Sequence, residues 1–279
     1  MSYKTIAVYL ARTDSVTGIV NVALPLAEAF DAHIIGLHVY AGAPVTGTIG
    51  AQVPPEIVDQ YLQFLRKESK SIEKKFTAAM KDAKVQNEWR GSDDISAGVD
   101  ILHAITNQTR CADLVVMGQS DSEQRVGDLS ADIILGTGRP VLIVPAAGKF
   151  GEITGRVVIG WDGSREATRA AFDALPILKR AKAVSVATAG KGDDIKAAVR
   201  GGGVDLAEAL VRHGVHAEVT MLDTGDSSAG EALLAYASEQ DCDLLVMGCF
   251  SHSRLRERLF GGATRHLLQN MMLPVLMSH

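Results

Sequence analysis

The chain has 279 residues, is 47% hydrophobic and carries a net charge of −5. That length holds about two ordinary domains, each large enough for its own core, and the acidic balance excludes a broad basic field for nucleic acid. No apolar run reaches the roughly 18 residues of a membrane span, and three cysteines without a CxxC spacing (Cys111, Cys242, Cys249) argue against structural disulfides and a thiolate zinc site.

Met1-Ser2-Tyr3-Lys4 leads straight into an apolar run without a signal-peptide h-region, so a cytoplasmic address is expected. Strands are predicted near Thr5–Leu10, His33–Tyr40, Val85–Trp89, Leu114–Met117 and Val141–Val144. Ala41–Gln60, with Gly42, Pro44, Gly47, Gly50, Pro54 and Pro55, reads as a loop or lid before a helix. Beyond a short linker over 148–155, strands follow at Arg156–Trp161, Ala183–Ala187, His216–Leu222, Asp243–Met247 and Pro274–Met277. Helical patterns lie between them over Arg165–Arg180, Val204–His213, Ser227–Glu239 and Gly262–Met271. Near-continuous apolar strands alternating with amphipathic helices predict a parallel sheet buried on both faces, doubly wound, with five strands and four helices in each half.

The two halves are one unit written twice. Val115-Val116-Met117-Gly118 returns as Leu245-Val246-Met247-Gly248, Ala23-Leu24-Pro25-Leu26 as Ala174-Leu175-Pro176-Ile177, and Pro140-Val141-Leu142-Ile143 as Pro274-Val275-Leu276-Met277. The offset is 151 at the Ala-Leu-Pro site, 130 at the Met-Gly site and 134 at the last, so the first half is 21 residues longer in its middle. The second is four residues longer after its Met-Gly. Domains of 1–149 and 150–279 follow.

In such a sheet, ligands bind outside the carboxyl ends of the strands, where strand order reverses. That directs attention to the residues after the first and fourth strands, which in the second half are Asp162-Gly163-Ser164 and Gly248 onward. A glycine ending a strand permits close backbone approach, and Gly261-Gly262 opening a helix would leave amides and a positive dipole end exposed as a phosphate cradle. Ser251 and Thr264 add hydroxyls, and Arg254, Arg256 and Arg258 add positive charge. Each feature also has a plainer reading. Glycine pairs serve turns, the arginines with Glu257 form a solvated face, and Asp162 leads a helix that its neighbours cap.

On these residues the chain resembles the universal stress protein family in its tandem form. ATP-binding members carry Gly, two residues, Gly, nine residues, then Gly followed by Ser or Thr. Gly248 and Gly261 match that pattern, while Ser251 stands at the second Gly and Gly262 where Ser or Thr is usual. Gly261-Gly262-Ala263-Thr264 has the Gly-Gly-Ala/Val-Thr form of many relatives. The resemblance implies an α/β fold, adenine nucleotide alpha hydrolase-like, of two tandem doubly wound five-stranded parallel sheets with strand order 3-2-1-4-5. It implies a bound ATP or AMP, with Mg2+ only alongside ATP. Asp162, with Gly163, and the backbone of Val186 would hold adenine and ribose. Gly248, Ser251, Gly261, Gly262 and Thr264 would hold phosphates, with Arg254 as an outer charge. The expected role is a stress response through regulatory binding, without catalysis. The resemblance also implies antiparallel pairing of the edge strands 140–144 and 274–277, a dimer-like arrangement in one chain; a further homodimer is allowed but not required.

The first half departs from this pattern. Its shorter loop, Gly118 to Asp128, places Asp121, Glu123 and Asp128 where phosphate would sit, and Ala11 takes the position of Asp162. Carboxylates suit a helix N-terminus but repel phosphate, so this half is expected to fold the unit without binding nucleotide. A catalytic reading of Cys249, His252 and Ser253 lacks a third orienting group at a recognisable spacing. His213 and His216 lack a carboxylate or thiol constellation for a metal. Two competing expectations remain: a protein-interaction module with a decayed nucleotide site, and a small-molecule binder that uses the 41–60 segment.

Overall fold

The apolar runs form the strands of a single sheet. In the first half these are β1 (Thr5–Tyr9), β2 (His33–His38), β3 (Asn87–Gly91), β4 (Leu114–Gly118) and β5 (Val141–Val144). The helices between them are α1 (Val16–Phe30), α2 (Pro55–Met80), α3 (Ile101–Thr109) and α4 (Leu129–Thr137). The second half carries β6 (Arg156–Gly160), β7 (Ala183–Gly190), β8 (Glu218–Asp223), β9 (Leu244–Gly248) and β10 (Val275–Ser278). Its helices are α5 (Arg165–Asp173), α6 (Leu175–Leu178), α7 (Val204–Arg212), α8 (Ala229–Glu239) and α9 (Gly262–Asn270). The structure, a computed structural model, describes residues 2–40, 54–91, 100–120, 129–192, 202–249 and 262–279.

The strand order is β3-β2-β1-β4-β5-β10-β9-β6-β7-β8. Neighbours are parallel within each half, whereas β5 and β10 pair antiparallel with Ile143 opposite Val275. Each half therefore has the 3-2-1-4-5 order, and the two expected sheets are continuous through that central pair. Strand residues alternate between two cores, as a period of two requires. Ile6, Val8, Val116, Ile159, Val186 and Val246 face one, and Val115, Met117, Val158, Ala187, Leu245 and Met247 the other. Among the described residues, no helix is long and apolar enough to cross a membrane.

The repeat extends to side-chain detail. Asp113 Oδ2 accepts the Lys4 amide at 2.7 Å, and Asp243 Oδ2 accepts the Arg156 amide at 2.7 Å, each tying the start of a first strand to the start of a fourth. The register also locates the length difference. Glu88 follows Ile35 by 53 residues, whereas Glu218 follows Ser185 by 33, so the excess lies between the second and third strands. Within Ala41–Gln60, residues 41–53 lie outside the described residues. The rest is not a loop, because Pro55 opens α2. Proline tolerates that position, where its missing N–H would have had no partner. The helix expected over Arg165–Arg180 is interrupted at Ala174 (ψ −8°), whereas α1 runs on through the matching Pro25.

Candidate functional site

At the carboxyl edge of β6 the chain turns through Trp161-Asp162-Gly163-Ser164 into α5. Asp162 Oδ1 accepts from the Ser164 amide (2.9 Å) and hydroxyl (2.6 Å), and Ser164 Oγ accepts from the Ala167 amide (3.1 Å). Gly163 sits at φ +76°, a conformation that favours glycine. The aspartate thus builds a capped turn while its side chain stays exposed at the surface. Gly248 ends β9 beside this turn, because β6 and β9 pair from Val157 and Leu244 up to Gly160 and Met247. A Cβ on Gly248 would lie 2.4 Å from Ala167 N and 2.6 Å from Glu166 C. The close backbone approach expected at Gly248 is therefore to the first turn of α5. Glu166 in that turn is buried and ion-paired with Arg165.

The topology adds the start of α9 to this edge, since the helix leaves the carboxyl end of β9 and returns to the amino end of β10. Gly262 opens α9, and Thr264 is buried in its first turn. Asp162, Gly163, Gly248, Gly262 and Thr264 thus share the carboxyl edge of the second half. Ser251, Arg254 and Gly261 lie outside the described residues, as do His252, Ser253, Arg256 and Arg258. So do the first-half acids Asp121, Glu123 and Asp128.

Val186 is placed differently from the expectation. β7 runs three residues past the predicted end at Ala187, to Gly190. Val186 is consequently mid-strand and fully buried, registered against Ile159 on one side and Val219 on the other. The residues of β7 at the carboxyl edge are Thr188 to Gly190. Here the structure brings out groups that the sequence reading passed over. Trp161 Nε1 and Thr188 Oγ1 are both buried and lack a hydrogen-bond partner among the described residues. A buried polar group left unpaired costs about 1–3 kcal/mol, so such atoms call for an explanation. Both lie against Gly202 and Gly203, which lead into α7: a Cβ on Gly202 would come within 2.9 Å of Trp161 Nε1, and one on Gly203 within 3.7 Å of Thr188 Oγ1.

The first half fills the equivalent place. The Leu10 amide donates to Leu37 O as the Trp161 amide does to Ala187 O, so Leu10 matches Trp161 and His38 matches Thr188. His38 is buried, with Nδ1 2.6 Å from Leu10 O. Burial lowers its pKa below the ordinary imidazole value, against a smaller opposing pull from Glu68. The long helix α2 supplies Glu68, whose Oε1 accepts the Thr13 amide at 2.9 Å, and Lys75, whose Nζ donates to Thr13 O at 2.9 Å. Thr13 Oγ1 itself is buried without hydrogen-bond geometry to a partner. It still lies close enough to Glu68 to be the main cause that lowers that carboxyl's pKa. A comparison of the repeats at Leu10/Trp161 and His38/Thr188 would have found this contrast, since the polar character changes at both positions. Nothing in the repeat pattern marks Glu68 or Lys75, because among the described residues the second half has no counterpart to that length of helix.

The chemistry of the remaining candidates is limited. Cys249 is buried in the core, its amide donating to Ser278 O. Cys111 is exposed, and burial raises the thiol pKa of half-buried Cys242. Among the described residues, no group of three or more His, Cys, Asp or Glu could hold a metal ion.

Comparison with known proteins shows what the chain is similar to. Residues 154–279 match the model of the universal stress protein family. A universal stress protein of Synechocystis sp. is 25% identical over 245 residues, covering 83% of this chain and 82% of that one. A universal stress protein from Archaeoglobus fulgidus DSM 4304 shares the fold, with a TM-score of 0.72 at 16% identity over 98% of this chain and 97% of that one. A functionally unknown protein from Pseudomonas aeruginosa PAO1 superposes with a TM-score of 0.54 at 12% identity, over 99% and 92% of the two chains.

Proposed function

We propose that the chain is a universal stress protein in tandem form, since residues 154–279 match the family model, and that its second half binds an adenine nucleotide, ATP or AMP, in a regulatory role. The observation that carries this reading is the contrast at the carboxyl edge. In the first half, Glu68 and Lys75 of α2 clamp the turn after β1 and His38 closes on Leu10 O. The second half has no such clamp among the described residues. Its turn after β6, the end of β9 and the N-terminus of α9 converge around Gly163, Gly248 and Gly262. Thr264 and the first amides of α9 would hold the phosphates and Asp162 the ribose, while Ser251, Gly261 and Arg254 are candidates on sequence alone, outside the described residues. Mg2+ would enter only with ATP. Binding without turnover is favoured because Cys249, the one thiol on this loop, is buried in the core.

Calorimetry with ATP and AMP on the wild type and on Gly262→Asp tests this. The substitution writes Asp128 of the first half into the second, at the offset that relates Pro140 to Pro274. An acidic residue suits a helix start, so folding should be kept while phosphate is repelled. Binding by the wild type and its loss in Gly262→Asp is the expected result. Equal affinity in both would show that the site is misplaced.

A second reading, a partner-binding module with a decayed site, draws on α2. Its residues Ile57, Tyr61 and Phe64, spaced as one helical stripe, are 55%, 46% and 62% exposed. Absence of any melting shift at millimolar ATP or AMP would favour that reading.

A further inference from the structure

We infer that two copies of the chain pair antiparallel through the first turns of α2, with Ile57, Tyr61 and Phe64 as the seam and Glu56 of one copy against Lys67 of the other. The inference goes beyond both readings above, since it holds whether or not the second half takes a nucleotide.

The stripe has no surface of its own chain to press on among the described residues. α2 buries a different face, at Ser69, Ile72, Phe76 and Met80, where Phe76 packs on Trp89. A second line runs beside that face. Glu68 and Lys75 lie eleven and eighteen residues beyond Ile57, about three and five whole turns, and these two side chains clamp Thr13. Ile57, Tyr61 and Phe64 prolong the clamping line past Thr13, where α2 overhangs the carboxyl edge of the sheet. All three are exposed there. Large apolar side chains gathered in one stripe mark a contact surface, whereas single ones scattered over a surface do not.

The charges select the occupant. Glu56 and Lys67 are eleven residues apart, so both lie on one flank of the stripe, one at each end. Both are exposed, and neither has an ion pair among the described residues. A parallel second helix would put the two charged flanks on opposite sides of the seam and leave them unmatched. An antiparallel one, related by a two-fold axis near Tyr61, puts them on the same side and in reverse order. Each Glu56 then stands level with the partner's Lys67, and Ile57 lies against the partner's Phe64. The surface is thus complementary to itself, in charge as well as in apolar character.

The size of the patch sets the strength. An aromatic side chain buries roughly 150–250 Å² when fully covered, so the half-exposed stripe offers on the order of 350 Å² per copy. A standard stable interface takes about 800 Å² from each partner. The pairing is accordingly reversible, with a dissociation constant of about 10 μM to 1 mM.

Analytical ultracentrifugation of the full chain from about 1 μM to about 1 mM tests this. It compares the wild type with Phe64→Ser, Glu56→Lys, Lys67→Glu and the double variant Glu56→Lys/Lys67→Glu. The wild type should dimerise reversibly, and less tightly at high salt. Phe64→Ser removes two rings from the seam and should weaken the dimer at least about 10-fold. Each single charge reversal creates two like-charge contacts and should weaken it about 3- to 10-fold, and the double variant should return close to wild-type affinity. The substituted side chains are all exposed, so melting temperatures should stay close to that of the wild type. If Phe64→Ser does not fold, the charge variants carry the test alone. A wild type that stays monomeric throughout would overturn the inference, whether the stripe is covered within its own chain or by a different protein. So would a dimer indifferent to Phe64→Ser, or single charge reversals that have no effect or that the double variant does not rescue.

Discussion

In the first half, helix α2 reaches over the carboxyl edge of the sheet, its Glu68 taking the Thr13 amide and its Lys75 the Thr13 carbonyl. At the matching edge of the second half Gly202 and Gly203 lie against Trp161 and Thr188, and Trp161 Nε1 and Thr188 Oγ1 have no hydrogen-bond partner among the described residues. Away from that edge the halves agree closely. They share strand order, the two-faced core and the aspartate brace at the amino edge. Two copies that fold alike yet finish one edge differently separate what the fold requires from what it does not. The brace at Asp113 and Asp243 belongs to folding. The differing edges carry the proposed function.

The largest expected effect contrasts the two strand-ending glycines. Gly248→Ala would drive a methyl to 2.4 Å from the backbone of α5, which cannot yield without moving the helix. Gly118→Ala meets only the tip of the Ile19 side chain, at 3.1 Å. Urea unfolding should show a loss of about 3 kcal/mol or more for Gly248→Ala and under about 1 kcal/mol for Gly118→Ala. Equal losses would break the contrast. Next in size is Tyr3→Phe. The buried Tyr3 hydroxyl donates to Asp173 O at 2.7 Å, joining the segment that leads into β1 to the end of α5 in the other half. Its removal should lower stability by about 1 kcal/mol in the same assay.

Acid should act on the first half through His38. Its folded pKa lies below the ordinary 6.5, so the unfolded chain takes the proton first as pH falls through that value. Stability is therefore intact above about pH 6.5 and declines below it until the folded imidazole also protonates. Glu68 acts further down. Its lowered pKa contributes stability above the unfolded value of 4.5, and that contribution disappears as pH falls through the folded pKa. Melting temperatures recorded from pH 7.5 to 5.5 should fall less for His38→Asn than for the wild type; parallel profiles would count against a role for this imidazole. The smallest effect belongs to the matching residue. Thr188→Val removes a hydroxyl that has no partner among the described residues, so its melting temperature should equal or slightly exceed that of the wild type. A clear drop would mean that the hydroxyl is paired within the folded chain.

Much of the frame was readable from the sequence because its signals are local. Runs such as Leu244–Met247 have the length and continuity of doubly covered strands, and the repeat offsets located the excess of the first half between its second and third strands. Asp162, Gly163, Gly248, Gly262 and Thr264 were legible as a group because each follows a strand or opens a helix. What escaped depends on register and on distant partners. Strand β7 runs on to Gly190 because β8 continues to pair with it, which moves Val186 inward and sets Thr188 at the edge. The roles of Glu68 and Lys75 are fixed by contacts with Thr13 some 55 and 62 residues away, which no periodicity reports. The need for Gly248 was visible, but the α5 backbone pressed against it was not.

Native mass spectrometry of the gently purified chain, titrated with ATP, tests the central claim most directly. One nucleotide should add to each wild-type chain at saturation, and none to Gly262→Asp. Two nucleotides per chain, or one that persists in Gly262→Asp, would contradict the assignment of the open site to the second half alone.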